Sequence, residues 1–231
     1  MCGIVGAVAE RNVVPILMEG LRRLEYRGYD SAGIAVRVEE GIARVRRVGK
    51  VQELANALEE TPVRGGTGIS HTRWATHGVP NENNAHPHLS SDKIAIVHNG
   101  IIENYEELRD DLKEKGYTFT SDTDTEIVAH RIHHNSQNAE DFAGAVRMTV
   151  AELEGAYALA VMSVDHPGQI VIARAGAPAV VGIGIDENFV ASDVAALLPV
   201  TRNFMFLDEG DVALVERKKV TVWNEKGEIA E

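Results

Sequence analysis

With one cysteine among 231 residues, the chain cannot form an internal disulfide, which fits a reducing compartment and points to the cytoplasm. It has no apolar run near the ~20 residues needed to span a bilayer. Its first six residues, Met1 to Gly6, lack the positive start and long apolar core of a secretion signal. Basic residues are in the minority: Lys+Arg 23 against Asp+Glu 35 gives a net charge of -12. That balance disfavours a nucleic-acid backbone or an anionic membrane surface as partner. Nucleotide-binding fingerprints are missing as well. Gly182-Ile183-Gly184 has no third glycine, and no G-x-x-x-x-G-K-[ST] occurs. Histidine is plentiful between residues 71 and 134, but neither H-E-x-x-H nor a Cys/His zinc spacing is present. No metal and no cofactor is expected.

What is present is an ordinary globular composition, 44% hydrophobic and 25% charged. Strand-like and helix-like patterns follow one another to the end of the chain. Strands are expected at 3–9, 32–38, 42–48, 67–72, 94–97, 157–163, 170–173, 179–183, 211–215 and 220–223. Helices are expected from an Asn12 cap through Leu24, along Val51, Leu54 and Leu58, from an Asn104/Glu107 capping-box pair, from Asp124, and over 139–153. Residues 73–90, rich in His, Asn and Pro, read as a long loop of the kind that is usually functional or disordered. With no repeat and no linker, residues 1–231 are read as one α+β domain with mainly antiparallel sheets.

Four constellations can carry chemistry. Cys2 becomes the first residue once the initiator Met1 is removed, as happens when the second residue is small. Such a cysteine joins a nucleophilic thiol to an α-amine of pKa ~7.7–8.0, which can act as base for its own side chain. Alternatively it is a small buried core residue. In His71-Thr72-Arg73-Trp74-Ala75-Thr76-His77-Gly78, Arg73 can grip a carboxylate with a bidentate fork. Thr76 and His77 add donors, and Trp74 adds a flat lid; the alternative is a surface loop. In His98-Asn99-Gly100, the Asn amide and the Gly N–H can stabilise an oxyanion, or the pair can form a hairpin turn. Asp124, in Ser121-Asp122-Thr123-Asp124-Thr125-Glu126, can cap a helix or hold a ligand ammonium.

Taken together and in order, Cys2-Gly3-Ile4-Val5-Gly6, Leu24-Glu25-Tyr26-Arg27-Gly28-Tyr29-Asp30-Ser31, His71 to Gly78, His98 to Asn104 and Thr123 to Glu126 resemble the class II, N-terminal nucleophile glutamine amidotransferases. The Glu-Tyr-Arg-Gly-Tyr version of the second motif is similar to the branch that makes glucosamine 6-phosphate, and unlike the purine-pathway branch. The resemblance implies a four-layer αββα sandwich and hydrolysis of L-glutamine through a Cys2 thioester. It implies Asn99 and Gly100 as oxyanion hole, and Arg73, Thr76 and His77 as holders of the substrate α-carboxylate. Asp124 would hold the α-amine, Arg27 and Gly28 would line the site, and Trp74 would gate ammonia. Longer members carry a C-terminal sugar-phosphate isomerase half as partner, which binds fructose 6-phosphate and which this sequence lacks.

Overall fold

The structure, a computed structural model, describes residues 2–74 and 78–230. In chain order its elements are β1 (Gly3–Val8), α1 (Val14–Leu24), β2 (Ser31–Val38), β3 (Gly41–Val48), α2 (Val51–Glu60) and β4 (Thr67–Arg73). There follow β5 (His88–Ser90), β6 (Ile94–Ile102), α3 (Tyr105–Glu114), α4 (Asp124–Asn135) and α5 (Phe142–Val150). The last part is strand: β7 (Gly155–Ser163), β8 (Gln169–Ala175), β9 (Val180–Ile183), β10 (Asn188–Ala191), β11 (Asn203–Phe206), β12 (Val212–Glu216) and β13 (Val220–Trp223). No helix among the described residues is long and apolar enough to cross a membrane.

The strands form two sheets, ordered β11-β9-β10-β1-β4-β2-β3 and β13-β12-β8-β7-β6-β5. Every neighbouring pair is antiparallel. Because side chains alternate along a strand, each sheet presents two faces, and both faces of both sheets are apolar here. Val5, Ala7, Ile34 and Val36 pack under Leu17, Leu21 and Leu24 of α1 and Leu54 of α2. Ile4, Val8, Ala35 and Ile69 face the second sheet, meeting Ala95, Val97, Ala158, Ala160 and Ile172. The outer face of that sheet, with Ile94, Ile96, Leu159 and Val161, is covered by Leu112 of α3, Ile127 and Ile132 of α4 and Phe142 of α5. Three apolar layers thus separate four layers of secondary structure, in the order αββα. The expected fold is the observed one.

Several local expectations are corrected. Val13 precedes α1 at the cap position, and Asn12 instead accepts from the N–H groups of Val14 and Gly65. Asn104 makes no capping-box bond; its amide joins Glu152 O and Glu154 N across a loop. Asp141, not a residue near 139, caps α5 through the Gly144 N–H. The strand expected at 94–97 continues to Ile102, so Asn99 and Gly100 lie within β6, opposite Ala158 and Tyr157. They form no hairpin turn.

Residues 78–90 are also not structureless. They fold back over β2 and β3, where Arg46 Nη1 donates to the carbonyls of Asn83 and Ala85. The His86 carbonyl is pressed so close to Gly33 of β2 that a Cβ there would lie 2.0 Å from the oxygen. Backbone meets backbone at this point and neither side can yield cheaply. Gly33→Ala is therefore expected to lift the segment around His86 off the sheet and lower the melting temperature by several degrees. An unchanged melting temperature would contradict the close approach.

Candidate active site

The alternation that fills the gap between the sheets also determines which polar side chains enter it. In β1, Ile4 and Val8 face the gap, so Cys2, just ahead of the strand and in phase with them, faces it too. In β4, Ile69 faces the gap and His71, paired directly with Ile4, shares that side, as does Arg73. In β6, Ala95 and Val97 face the gap, and Asn99 is the next residue in phase. His98 therefore points to the opposite face, toward α4. Apolar filling gives way to Cys2, His71 and Arg73 from one sheet and Asn99 from the other.

These groups are joined by hydrogen bonds. The Asn99 Nδ2 donates to the Cys2 carbonyl at 3.2 Å, and its Oδ1 sits 2.9 Å from His71 Nε2. The Cys2 sulfur lies 3.1 Å from the Trp74 N–H, which donates to it, and 3.4 Å from the Trp74 carbonyl, to which the thiol donates. Burial raises the thiol's pKa, while the Trp74 N–H works the other way. The sulfur is thus held mainly as thiol, and a base must take its proton before it can attack.

A cavity of about 540 Å³ opens beside the sulfur. Seven of the residues singled out from sequence line it: Cys2, Arg27, Arg73, Trp74, Asn99, Gly100 and Asp124. Gly28 supports the wall. It has φ 107, and a Cβ there would meet the Trp74 ring at 2.4 Å, so the indole rests directly on this glycine's backbone. Gly100 has φ 116, with Ala156 O 2.0 Å from where its Cβ would stand, so glycine is required there as well. Thr76 and His77 lie outside the described residues.

The charged walls are built from buried side chains. Arg73 is buried, its Nη1 3.6 Å from Asp30 Oδ1 and its Nη2 donating to Gly78 O. Asp30 also donates its backbone N–H to the Arg73 carbonyl at 2.7 Å, so the two sequence motifs clamp each other. Arg27 Nη1 lies 3.4 Å from Asp193 Oδ2. Asp124 is the first residue of α4, capped by Thr123, where the helix dipole favours its negative charge. Its Oδ2 accepts from Ile102 N at 2.9 Å; Oδ1 is 3.9 Å from His98 Nδ1, beyond hydrogen-bond range. The loop before α4 is held by Glu126, whose carboxylate accepts from Thr120 and Ser121 backbone N–H and hydroxyl groups at 2.7 to 3.1 Å.

The buried histidines beside the cavity are partnered within the protein. His71 stacks on His86 with ring centroids 4.1 Å apart. His86 accepts from the His98 N–H, and Thr125 and Thr123 hydroxyls engage His98 and His88. Burial lowers the His71 pKa to about 3 and holds His86 and His88 well below the ordinary histidine value. Sequence reasoning missed His86, Thr123 and Thr125 as lining residues, together with the Gly176-Ala177-Pro178 rim. The threonines flank Asp124 directly in the chain. The rim comes from a distant turn of small residues with no local signal.

A model of the glutamine amidotransferase domain family matches residues 71–199, more than half of the chain. The chain belongs to that family. Among curated relatives of this amidotransferase domain, glutamine–fructose-6-phosphate aminotransferase (isomerizing) from Shewanella oneidensis is 60% identical over 98% of the chain and 37% of that protein. The same-named protein from Vibrio parahaemolyticus is 60% identical over 100% of the chain and 38% of its own length. The chain thus spans little more than a third of the relatives it matches. In fold, it is similar to the B. subtilis glutamine phosphoribosylpyrophosphate amidotransferase, with TM-score 0.84, 24% identity, and 99% of this chain against 50% of that one covered. A class-II glutamine aminotransferase domain protein from Silicibacter pomeroyi gives TM-score 0.63 at 16% identity, over 96% and 99% of the two chains.

The buried neutral histidines tie stability to pH. Their folded pKa values lie below the ~6.5 of an unfolded histidine, so below that pH the unfolded chain takes up protons that the folded one refuses. Their contribution is complete above pH ~6.5 and is lost as pH falls toward the folded values. Unfolding at pH 5 should therefore take up about two to three more protons than at pH 7.5, with a lower denaturation midpoint. A midpoint flat between those values would contradict the burial of these rings.

Proposed function

We propose that residues 1–231 form one glutaminase domain, hydrolysing L-glutamine to L-glutamate and ammonia through a thioester on Cys2. The observation that carries the reading is the meeting, in one cavity, of a buried thiol, the Asn99 amide, Gly100 and the Asp124 carboxylate. With Met1 removed, the Cys2 amine takes the thiol proton and the sulfur attacks the side-chain carbonyl carbon of glutamine. The oxyanion that forms is met by Asn99 Nδ2, whose second hydrogen has no protein partner among the described residues, and by the backbone at Gly100. As the C–N bond breaks, the amine returns its proton to the departing nitrogen, and ammonia leaves. Water then attacks the thioester, regenerating the thiol and releasing glutamate.

Substrate selection follows from charge. A free amino acid carries both a carboxylate and an ammonium, and Asp124 Oδ1, lacking a hydrogen-bond donor among the described residues, suits the ammonium. Arg73, Thr76 and His77 would receive the carboxylate, with Arg27 and Gly28 completing the wall and Trp74 closing over it. In a longer protein, ammonia would pass to a C-terminal sugar-phosphate isomerase half and aminate fructose 6-phosphate to glucosamine 6-phosphate in the cytoplasm. The two 60% identical relatives named for that reaction favour this acceptor over the purine precursor, whose enzyme is 24% identical.

Cys2→Ala is expected to abolish ammonia release while leaving the circular dichroism unchanged; retained turnover would remove the sulfur from the chemistry, and glutamine binding without turnover by the wild type would indicate a sensor. Asp124→Asn should raise KM for glutamine about tenfold or more with a smaller change in kcat, measured by coupled glutamate assay. An unaltered KM would contradict its role toward the α-amine.

A further inference from the structure

We propose that His71 is a positioning residue that fixes which end of the Asn99 amide faces the cavity. This rests on the glutaminase reading above and extends it to a residue that neither lines the cavity nor hydrogen-bonds the Cys2 sulfur. His71 lies in β4 of the first sheet, yet its Nε2 reaches across the gap to two atoms of β6, the His98 carbonyl at 3.0 Å and Asn99 Oδ1 at 2.9 Å. Both partners are acceptors, so Nε2 carries the hydrogen and shares it between them. The assignment of the Asn99 amide is settled independently at its other end, since the Cys2 carbonyl can only accept and must face the Nδ2 hydrogens.

The amide is therefore held at both ends, oxygen toward His71 and nitrogen toward Cys2. That matters because an amide turned by half a rotation would aim its oxygen at the developing oxyanion, exchanging attraction for repulsion. Three features keep His71 fit for this task. Its ring is 1% exposed and stacked on His86 at an interplanar angle of 14°, which leaves it no room to turn. Its Nδ1 has no hydrogen-bond partner among the described residues, so nothing competes for the hydrogen on Nε2. Burial keeps the ring neutral far below working pH, with a pKa of about 3, so the donor pattern does not change as the enzyme turns over.

Glutamine and asparagine provide the test, because the Gln side-chain nitrogen stands as many bonds from the backbone as His Nε2, whereas that of Asn matches Nδ1. In the full 231-residue chain, His71→Asn should lower kcat for glutamine by about 10²-fold, the scale of losing one oxyanion donor, with KM within about threefold of wild type. His71→Gln should restore kcat to within about threefold. In an Asn99→Ala background, His71→Asn should have almost no further effect, as expected for residues acting as a unit. Equal damage from Gln and Asn, or additive losses in the double variant, would overturn the positioning role and leave His71 a packing residue. Nitrogen-15 NMR of histidine-labelled wild type gives a readout that does not depend on activity or on a variant folding. It should show His71 neutral at pH 5 and protonated on Nε2; a charged ring or an Nδ1–H tautomer would overturn the proposal. An inert wild type would instead overturn the glutaminase reading itself, whereas an active wild type with an unimpaired His71→Asn overturns the positioning alone.

Discussion

The period-two alternation of side chains across two closely packed antiparallel sheets is the constraint from which the site follows. Each inward position must be filled from one sheet or the other, and along most of the gap Ile4, Val8, Ile69, Val97 and Ile172 fill it with hydrocarbon. At one end the same phase brings in Cys2, His71, Arg73 and Asn99, and the gap becomes a cavity. A one-residue slip of β1 against β4 would turn Cys2 toward α1 and Gly3 toward the cavity. The register that buries the core is thus also the one that aims the sulfur.

The polar end is costly to bury, and the structure offsets that cost with a connected set of hydrogen bonds. Histidines kept neutral, threonine hydroxyls and the Glu126 carboxylate satisfy one another and the backbone around them. The arrangement leaves few groups able to exchange a proton with the thiol. Among the described residues its hydrogen-bond partners are both backbone atoms of Trp74, and the stacked rings of His71 and His86 resist charging. A base attached to the same residue as the sulfur would meet the need without another side chain, which is why the proposed mechanism gives the thiol proton to the α-amine of a processed Cys2.

Much of this was legible in sequence because local patterns carried it. The continuous apolar runs of β2 and β7 and the stripe Leu17, Leu21, Leu24 announce their elements, and the order of motifs announced the αββα sandwich. What escaped was set by distant pairing. β10 and β11 are four residues each and gain their identity from β9 between them. Asn99-Gly100 reads as a turn in isolation, yet β7 alongside draws it into a strand that tolerates φ 116 at its glycine. The Asn104/Glu107 pair had the right spacing for a cap, but Glu152 and Glu154 backbone groups claimed the asparagine amide first. Seven of the residues singled out from sequence line the cavity, drawn from motifs whose residue types suit a chemistry; the Ala177-Pro178 rim, which contributes shape, carries no such signal.

The central claim is that the reacting sulfur and its base belong to one terminal residue. Rapid acid quenching of the reaction with glutamine, followed by intact-mass and peptide mass spectrometry, tests it most directly. The account predicts a glutamyl adduct confined to chains that begin with Cys2 and located on that residue. An adduct on a chain still bearing Met1, or turnover with the adduct on any other side chain, would contradict it.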